Sequence, residues 1–132
     1  MRAVHSIDDV ITSSSFHFGG VYAWARVRDV DDAKHHLLVA RDEKETTVVT
    51  APEHLASLDV IETNRDRWLL LAIDCASPFY CAGFIASIAT RLSAAGIDIL
   101  VISTFSRDLF FVKEEEGERA AEMLKEMGMA FT

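Results

Sequence analysis

Three residues near one corner of this sequence carry groups that could do chemistry together: Ser103, Thr104 and Asp108. They flank the turn Ser103-Thr-Phe-Ser-Arg-Asp108, between the apolar runs Ile99-Leu-Val-Ile102 and Leu109-Phe-Phe-Val112. A carboxylate can accept from an ammonium group, and two hydroxyls can donate to a carboxylate. Beside a helix N-terminus, this is a pattern suited to an α-amino acid. The simpler use of the same residues is a turn-forming Asp with solvated neighbours. The second group is Cys81, Ala82, Gly83 and Phe84, where a strand turns into a helix. Backbone N–H groups there can receive a ligand carboxylate, and Gly83 equally serves close helix-to-sheet packing.

Other reactive types are less promising. Cys75 and Cys81 read as small, partly apolar side chains of a reducing compartment. Their spacing is not that of a zinc pair, and no nearby Cys or His completes four ligands. His35 and His36 are neighbours on a strand approach, so their side chains diverge, and they read as surface histidines without a metal. Asp31-Asp32 reads as a turn, and Glu114-Glu-Glu116 as a solvated helix start. There is no Gly-rich phosphate loop. An acylphosphatase-like enzyme needs an Arg and an Asn placed together, and the only Asn is Asn64, in a polar linker.

The elements that position these residues follow from hydrophobic periodicity. Trp68-Leu-Leu-Leu-Ala-Ile73 is apolar on both faces, as a central strand is. A helix follows, with Cys81, Phe84, Ile85, Ile88, Leu92 and Ala95 on one stripe and Gly96 as its stop. Ser77-Pro78 suits a cap and first helical residue. Glu114 to Met127 is a second helix, acidic at its start and with Lys125 in its last turn; Met129 to Thr132 is a final edge strand. The second half thus reads β-α-β-β-α-β, an α+β, ferredoxin-like order with both helices on one face of an antiparallel sheet.

The first half is more broken. Residues 2–7 alternate weakly, Ser13 to Gly20 reads as a loop, and Val21-Tyr-Ala-Trp-Ala-Arg-Val27 as a strand with Ala23 and Ala25 on one face. His36 to Ala40 and Thr46 to Thr50 form strands around a charged hairpin turn. Pro52 to Ser57 suits a short helix, and Glu62 to Asp66 is the best boundary. Shifted by 63 positions, Lys44-Glu45 falls on Arg107-Asp108, and hairpin falls on hairpin. The expected organisation is therefore two related modules, 1–63 and 64–132, the first truncated.

The stretch Trp68-Leu-Leu-Leu-Ala-Ile…Gly83-Phe-Ile-Ala-Ser-Ile…Ile102-Ser-Thr-Phe-Ser-Arg-Asp108-Leu-Phe-Phe-Val112 resembles the ACT-domain family. The similar branch is that of small bacterial tandem-ACT proteins and animal cytosolic arginine sensors. Arg107 departs from it, standing where that branch commonly has Thr. A cation there is placed to pair with Asp108 and fill the pocket. The resemblance implies a non-enzymatic regulatory or sensor module that binds a small molecule, typically an amino acid, where modules meet. Cys81, Ala82, Gly83, Phe84, Ser103, Thr104 and Asp108 would form the site. No cofactor or metal enters this reading. The alternative is a structural or protein-interaction module with a filled pocket.

Composition limits the partners. Net charge is −8, which speaks against a duplex nucleic-acid binder and against an anionic membrane surface. Phe110 and Phe111 lack a basic RNP1 context, so RNA recognition is not expected either. The longest uncharged run, Cys75 to Thr90, contains Pro, Gly and Ser and is no membrane span. The N-terminus lacks an apolar signal core, which suggests the cytoplasm. A four-stranded sheet with helices on one face leaves its other face apolar. At about 25 cal/mol per Å², covering it favours a homodimer.

Overall fold

The structure, a computed structural model, describes residues 6–77 and 81–132. The chain runs α1 (Ile7–Thr12), β1 (Ser15–Asp29), β2 (Leu38–Arg41), β3 (Thr46–Thr50), β4 (Asp59–Thr63), β5 (Trp68–Asp74), α2 (Phe84–Ala94), β6 (Ile99–Ser103), β7 (Asp108–Lys113), α3 (Gly117–Glu126) and β8 (Ala130–Phe131). Short 3-10 turns cover Ala33–His35, Pro52–Ser57 and Glu114–Glu116. Most of the strand expected over 2–7, and the helix entry at Pro78, lie outside the described residues.

Two compact units result. One comprises the residues up to Gly19 with Leu70–Thr132; the other is Gly20–Leu69. The sequence reading divided the chain in order, at 63/64, whereas here the segment up to Gly19 groups with the C-terminal residues.

In the first unit the expected βαββαβ order is present as β5-α2-β6-β7-α3-β8. Strand order is β1-β5-β7-β6. Strand β5 is central because Leu71, Ala72 and Ile73 are all buried, and β7 is buried from Leu109 to Val112. Strands β6 and β7 pair antiparallel from Ile99↔Val112 to Ser103↔Asp108, which fixes the corner between them. On α2, Phe84, Ile88 and Leu92 point inward. Ile85, expected in the same stripe, is 39% exposed. Ala120, Ala121 and Leu124 bury the inner face of α3.

Three expectations fail at the N-terminus. The segment Ser13 to Gly20 is not a loop, since β1 begins at Ser15. Its glycines imitate a turn, but Gly19 is there for packing: a Cβ on it would lie 2.6 Å from Leu70 Cδ2. Nor is the sheet wholly antiparallel. Strand β8 pairs parallel with β1, Ser15 with Ala130 and Phe16 with Phe131. Helix α1 was not foreseen, although Ser6 caps it by accepting from Asp9 N–H at 3.1 Å. The bare apolar face was overcounted as well. Trp68 and Leu70 are each only 5% exposed within a single chain.

In the second unit β1 pairs antiparallel with β3, from Ala23↔Thr50 to Val27↔Thr46. It also pairs with β4, and β2 pairs with β3. Ala25, Val27 and Val48 form the core, with Val30, Val39, Leu55, Leu58 and Val60 around it. Strand β4 had been read partly as a polar boundary. Its outward residues are polar because they meet cations: Asp59 accepts from Arg28 at 2.8 Å, and Glu62 from Arg26 at 3.4 Å. The two hairpins agree in register at an offset of 62 rather than 63, since Arg41 pairs with Thr46 as Ser103 pairs with Asp108. The counterpart of Asp108 at the corner is therefore Thr46, and that of Arg107 is Glu45.

Candidate functional site

A cavity of about 220 Å³ opens in the first unit where the end of β5, the start of α2 and the β6–β7 turn converge. Its wall includes Cys75, Ser77, Cys81, Phe84, Ile85, Ser103, Thr104, Phe105, Arg107 and Asp108. Local chemistry builds each side. Gly83 caps α2 at φ 88°, a left-handed conformation that costs glycine little, and its carbonyl accepts from Ser87 N–H at 2.8 Å. Across from it, Thr104 N–H donates to Arg107 C=O at 2.9 Å, closing the turn and leaving Phe105 84% exposed. The chain beyond β5 is held by buried Ser14, whose hydroxyl accepts from Ala76 N–H at 2.9 Å and donates to Val10 C=O at 2.7 Å.

The charges are arranged differently from the sequence expectation. Arg107 does not pair with Asp108. Its Nε–H donates to Asp74 Oδ1 at 2.7 Å, at the end of β5. Asp108 instead accepts from the Ser103 hydroxyl at 2.9 Å, its cross-strand partner. The cavity thus presents a guanidinium already matched by one carboxylate, and a second carboxylate that, among the described residues, is held only by a hydroxyl. Burial pushes the Cys75 thiol above its ordinary value, and the negative charge of Asp108 adds to that. Cys75 is therefore mostly protonated near neutral pH, a lining group rather than a nucleophile.

Of the residues singled out in the sequence, Cys81, Phe84, Ser103, Thr104 and Asp108 line this one cavity. Ala82 and Gly83 do not. Gly83 instead borders a shallow groove beside Ala86, Thr90 and Arg91 on the outer side of α2. Sequence reasoning missed Cys75, Ser77, Ile85 and Phe105. The signal for Phe105 was available: a large aromatic at the tip of a polar turn has no core to enter.

A second polar assembly lies in the other unit. His36 has a fully buried side chain, contrary to its reading as a surface residue. Its Nε2 lies 2.6 Å from Asp31 Oδ1, and its Nδ1 lies 2.8 Å from Thr50 Oγ1. His54 Nδ1 is 3.2 Å from the same hydroxyl, and His35 Nδ1 is 3.3 Å from Asp31. The Asp–His–Thr sequence of contacts is that of a nucleophilic triad. Thr50, however, is 0% exposed, so no substrate reaches its hydroxyl, and the network is structural. Among the described residues, no group of three or more His, Cys, Asp or Glu is placed to hold a metal ion. Nor is any helix among them long and apolar enough to cross a membrane.

The fold is that of an α+β protein of ACT-like, ferredoxin-like architecture. The ACT-domain family model matches residues 64–126, the stretch that carries the cavity. Among solved structures, a Vibrio cholerae protein of unknown function, described as a possible transport protein, is similar at TM-score 0.77 and 23% identity, over 93% of this chain and 96% of that one. An Agrobacterium tumefaciens protein is similar at TM-score 0.71 and 22% identity, over 90% and 92% of the two chains. The ligand-free regulatory subunit of aspartate kinase from Thermus thermophilus follows the same fold at TM-score 0.57 and 8% identity, covering 86% of this chain and 95% of its own. No curated protein matches this sequence.

Proposed function

We propose that this chain is a non-enzymatic regulatory module that binds a small molecule, an α-amino acid, in the cavity between α2 and the β6–β7 turn. One observation carries this reading: Arg107 is drawn away by Asp74, so that Asp108 remains on the cavity wall with, among the described residues, only the Ser103 hydroxyl bonded to it. A ligand ammonium pairs with Asp108. A ligand carboxylate meets the remaining guanidinium N–H groups of Arg107, the Thr104 hydroxyl and the first turn of α2. The match of residues 64–126 to the ACT-domain model, and the regulatory subunit among the similar folds, support a regulatory role. The rival reading, a filled pocket serving only protein interaction, would be supported by Arg107 facing Asp108, and Arg107 bonds Asp74 instead.

The wider proposal has three further parts. Residues 1–63 and 64–132 are two diverged ACT-like modules, supported by the matched register of their hairpins. The protein acts in the cytoplasm. It works as a homodimer, for which the support is exposed Val101 on the edge strand β6 together with Ile85 and Phe105 at the cavity; sedimentation equilibrium at micromolar concentration tests this, and a clean 14.7 kDa species would exclude it.

A thermal-shift screen of the twenty amino acids tests the binding reading. Saturating ligand at a hundredfold excess over Kd stabilises by about 2.7 kcal/mol. A positive hit is expected to vanish in Asp108→Asn. No shift with any amino acid would leave the interaction module as the better account.

A further inference from the structure

We infer that the side chain of the bound amino acid is uncharged and apolar, an inference that rests on the amino-acid reading above. The argument is one of matching charges. Among the described residues, the cavity wall carries one cation and one anion, Arg107 and Asp108. Asp108 is the carboxylate available to the ligand ammonium. Arg107 is neutralised by Asp74 at 2.7 Å while its other N–H groups remain for the ligand carboxylate. A ligand with a cationic side chain finds no further carboxylate on the described wall, since Asp108 takes the ligand ammonium and Asp74 is already engaged by Arg107. A ligand with an anionic side chain brings a second negative charge into a site whose guanidinium already answers Asp74. Either charge would lose its hydration without a partner.

The rest of the lining supplies what an apolar side chain needs. Phe84 is buried at the base of the cavity, Ile85 is 39% exposed beside it, and Phe105 is 84% exposed at the turn. Ile85 leaves the inner stripe of α2 to face this space, and Phe105 stands on a turn whose other residues are polar. Exposed large apolar side chains grouped at one opening mark a binding surface. The partly buried thiols Cys75 and Cys81 extend the apolar wall. Arg107 is also the position at which the chain departs from the resembling branch, and here it sets the preference against a basic side chain.

The test is calorimetric titration of the full chain with L-phenylalanine, L-leucine, glycine, L-arginine and L-aspartate. Phenylalanine or leucine is expected to bind at least tenfold tighter than glycine, as burying a few methylenes would give. Arginine and aspartate are expected to bind at least tenfold weaker than leucine. Phe105→Ala is expected to weaken phenylalanine binding about tenfold and to weaken glycine binding less, since glycine has no side chain to rest on it. If arginine or aspartate binds as tightly as leucine, the apolar assignment is overturned while amino-acid binding stands. Equal affinity for leucine and glycine overturns it in the same way. If none of the five binds, the amino-acid reading falls and the inference with it.

Discussion

Replacing Thr50 by Val tests the buried histidine network with little change in volume. Asp31 can only accept, so at 2.6 Å His36 Nε2 must carry a proton. In the neutral imidazole Nδ1 is then a bare acceptor, and the Thr50 hydroxyl donates to it at 2.8 Å. That spends the single hydroxyl proton, so His54 Nδ1, 3.2 Å away, must donate to Thr50 Oγ1. In protonated His36 the direction reverses: Nδ1–H donates, and the hydroxyl proton turns to His54 or to the His35 carbonyl. Thr50→Val removes the hinge of this relay and leaves a fully buried ring nitrogen facing a methyl group. An unsatisfied buried polar atom costs about 1–3 kcal/mol. For a chain of this size that lowers Tm by roughly 4 °C per kcal/mol. Urea unfolding followed by far-UV circular dichroism should show the midpoint fall with the slope unchanged. Thr50→Ser keeps the hydroxyl and loses one methyl, at about 1 kcal/mol. The Ser variant should therefore be the more stable of the two. A Val variant within about 0.5 kcal/mol of the parent, on the scale of neutral substitutions, would refute the reasoning.

Two further outcomes follow from other residues. Gly19→Ala drives a methyl to within 2.6 Å of Leu70 Cδ2, a buried side chain, and should destabilise the protein by about 1–3 kcal/mol in the same urea assay. Asp31 has its carboxyl held below the usual range, chiefly by its bond to His36 and then by His35. A depressed folded-state pKa gives stability that is present above about pH 4 and lost as pH falls through the lower folded value. The difference in melting temperature between the parent and Asp31→Asn should therefore be constant from pH 7 to pH 5 and shrink below pH 4. A difference that persists unchanged at pH 2.5 would show that Asp31 acts by packing.

The C-terminal half was readable because its signals are redundant. In β5 and β7 every residue from Leu70 to Ile73 and from Leu109 to Val112 is buried, so the apolar runs leave no competing assignment. The N-terminal region was misread because residues used for tertiary reasons look like local signals. Gly19 and Gly20 imitate a loop, yet the first gives way to Leu70. Glu62 imitates the start of a linker, yet it answers Arg26 across the sheet. His36 looks exposed because polarity is visible in a sequence and its partners, Asp31 and Thr50, are not. At the cavity, the Ser103-to-Asp108 motif was legible from type and spacing. The partner of Arg107 was not, because Asp74 lies 33 residues away and meets it only once β5 and β7 are in place.

The grouping of residues up to Gly19 with those beyond Leu70 also has a consequence for synthesis on the ribosome. The segment Gly20–Leu69 is continuous, and its strands pair with near neighbours, so it can collapse while the rest of the chain is still being made. The cavity-bearing unit cannot be completed then. Among its contacts is one joining Thr132 to Phe16 across 116 residues, and Ser15 and Phe16 have no β8 to pair with until Ala130 and Phe131 are made. Nascent β1 therefore waits with Phe16 uncovered until residues 130–132 are made, which makes this strand a point at which a chaperone would be felt early.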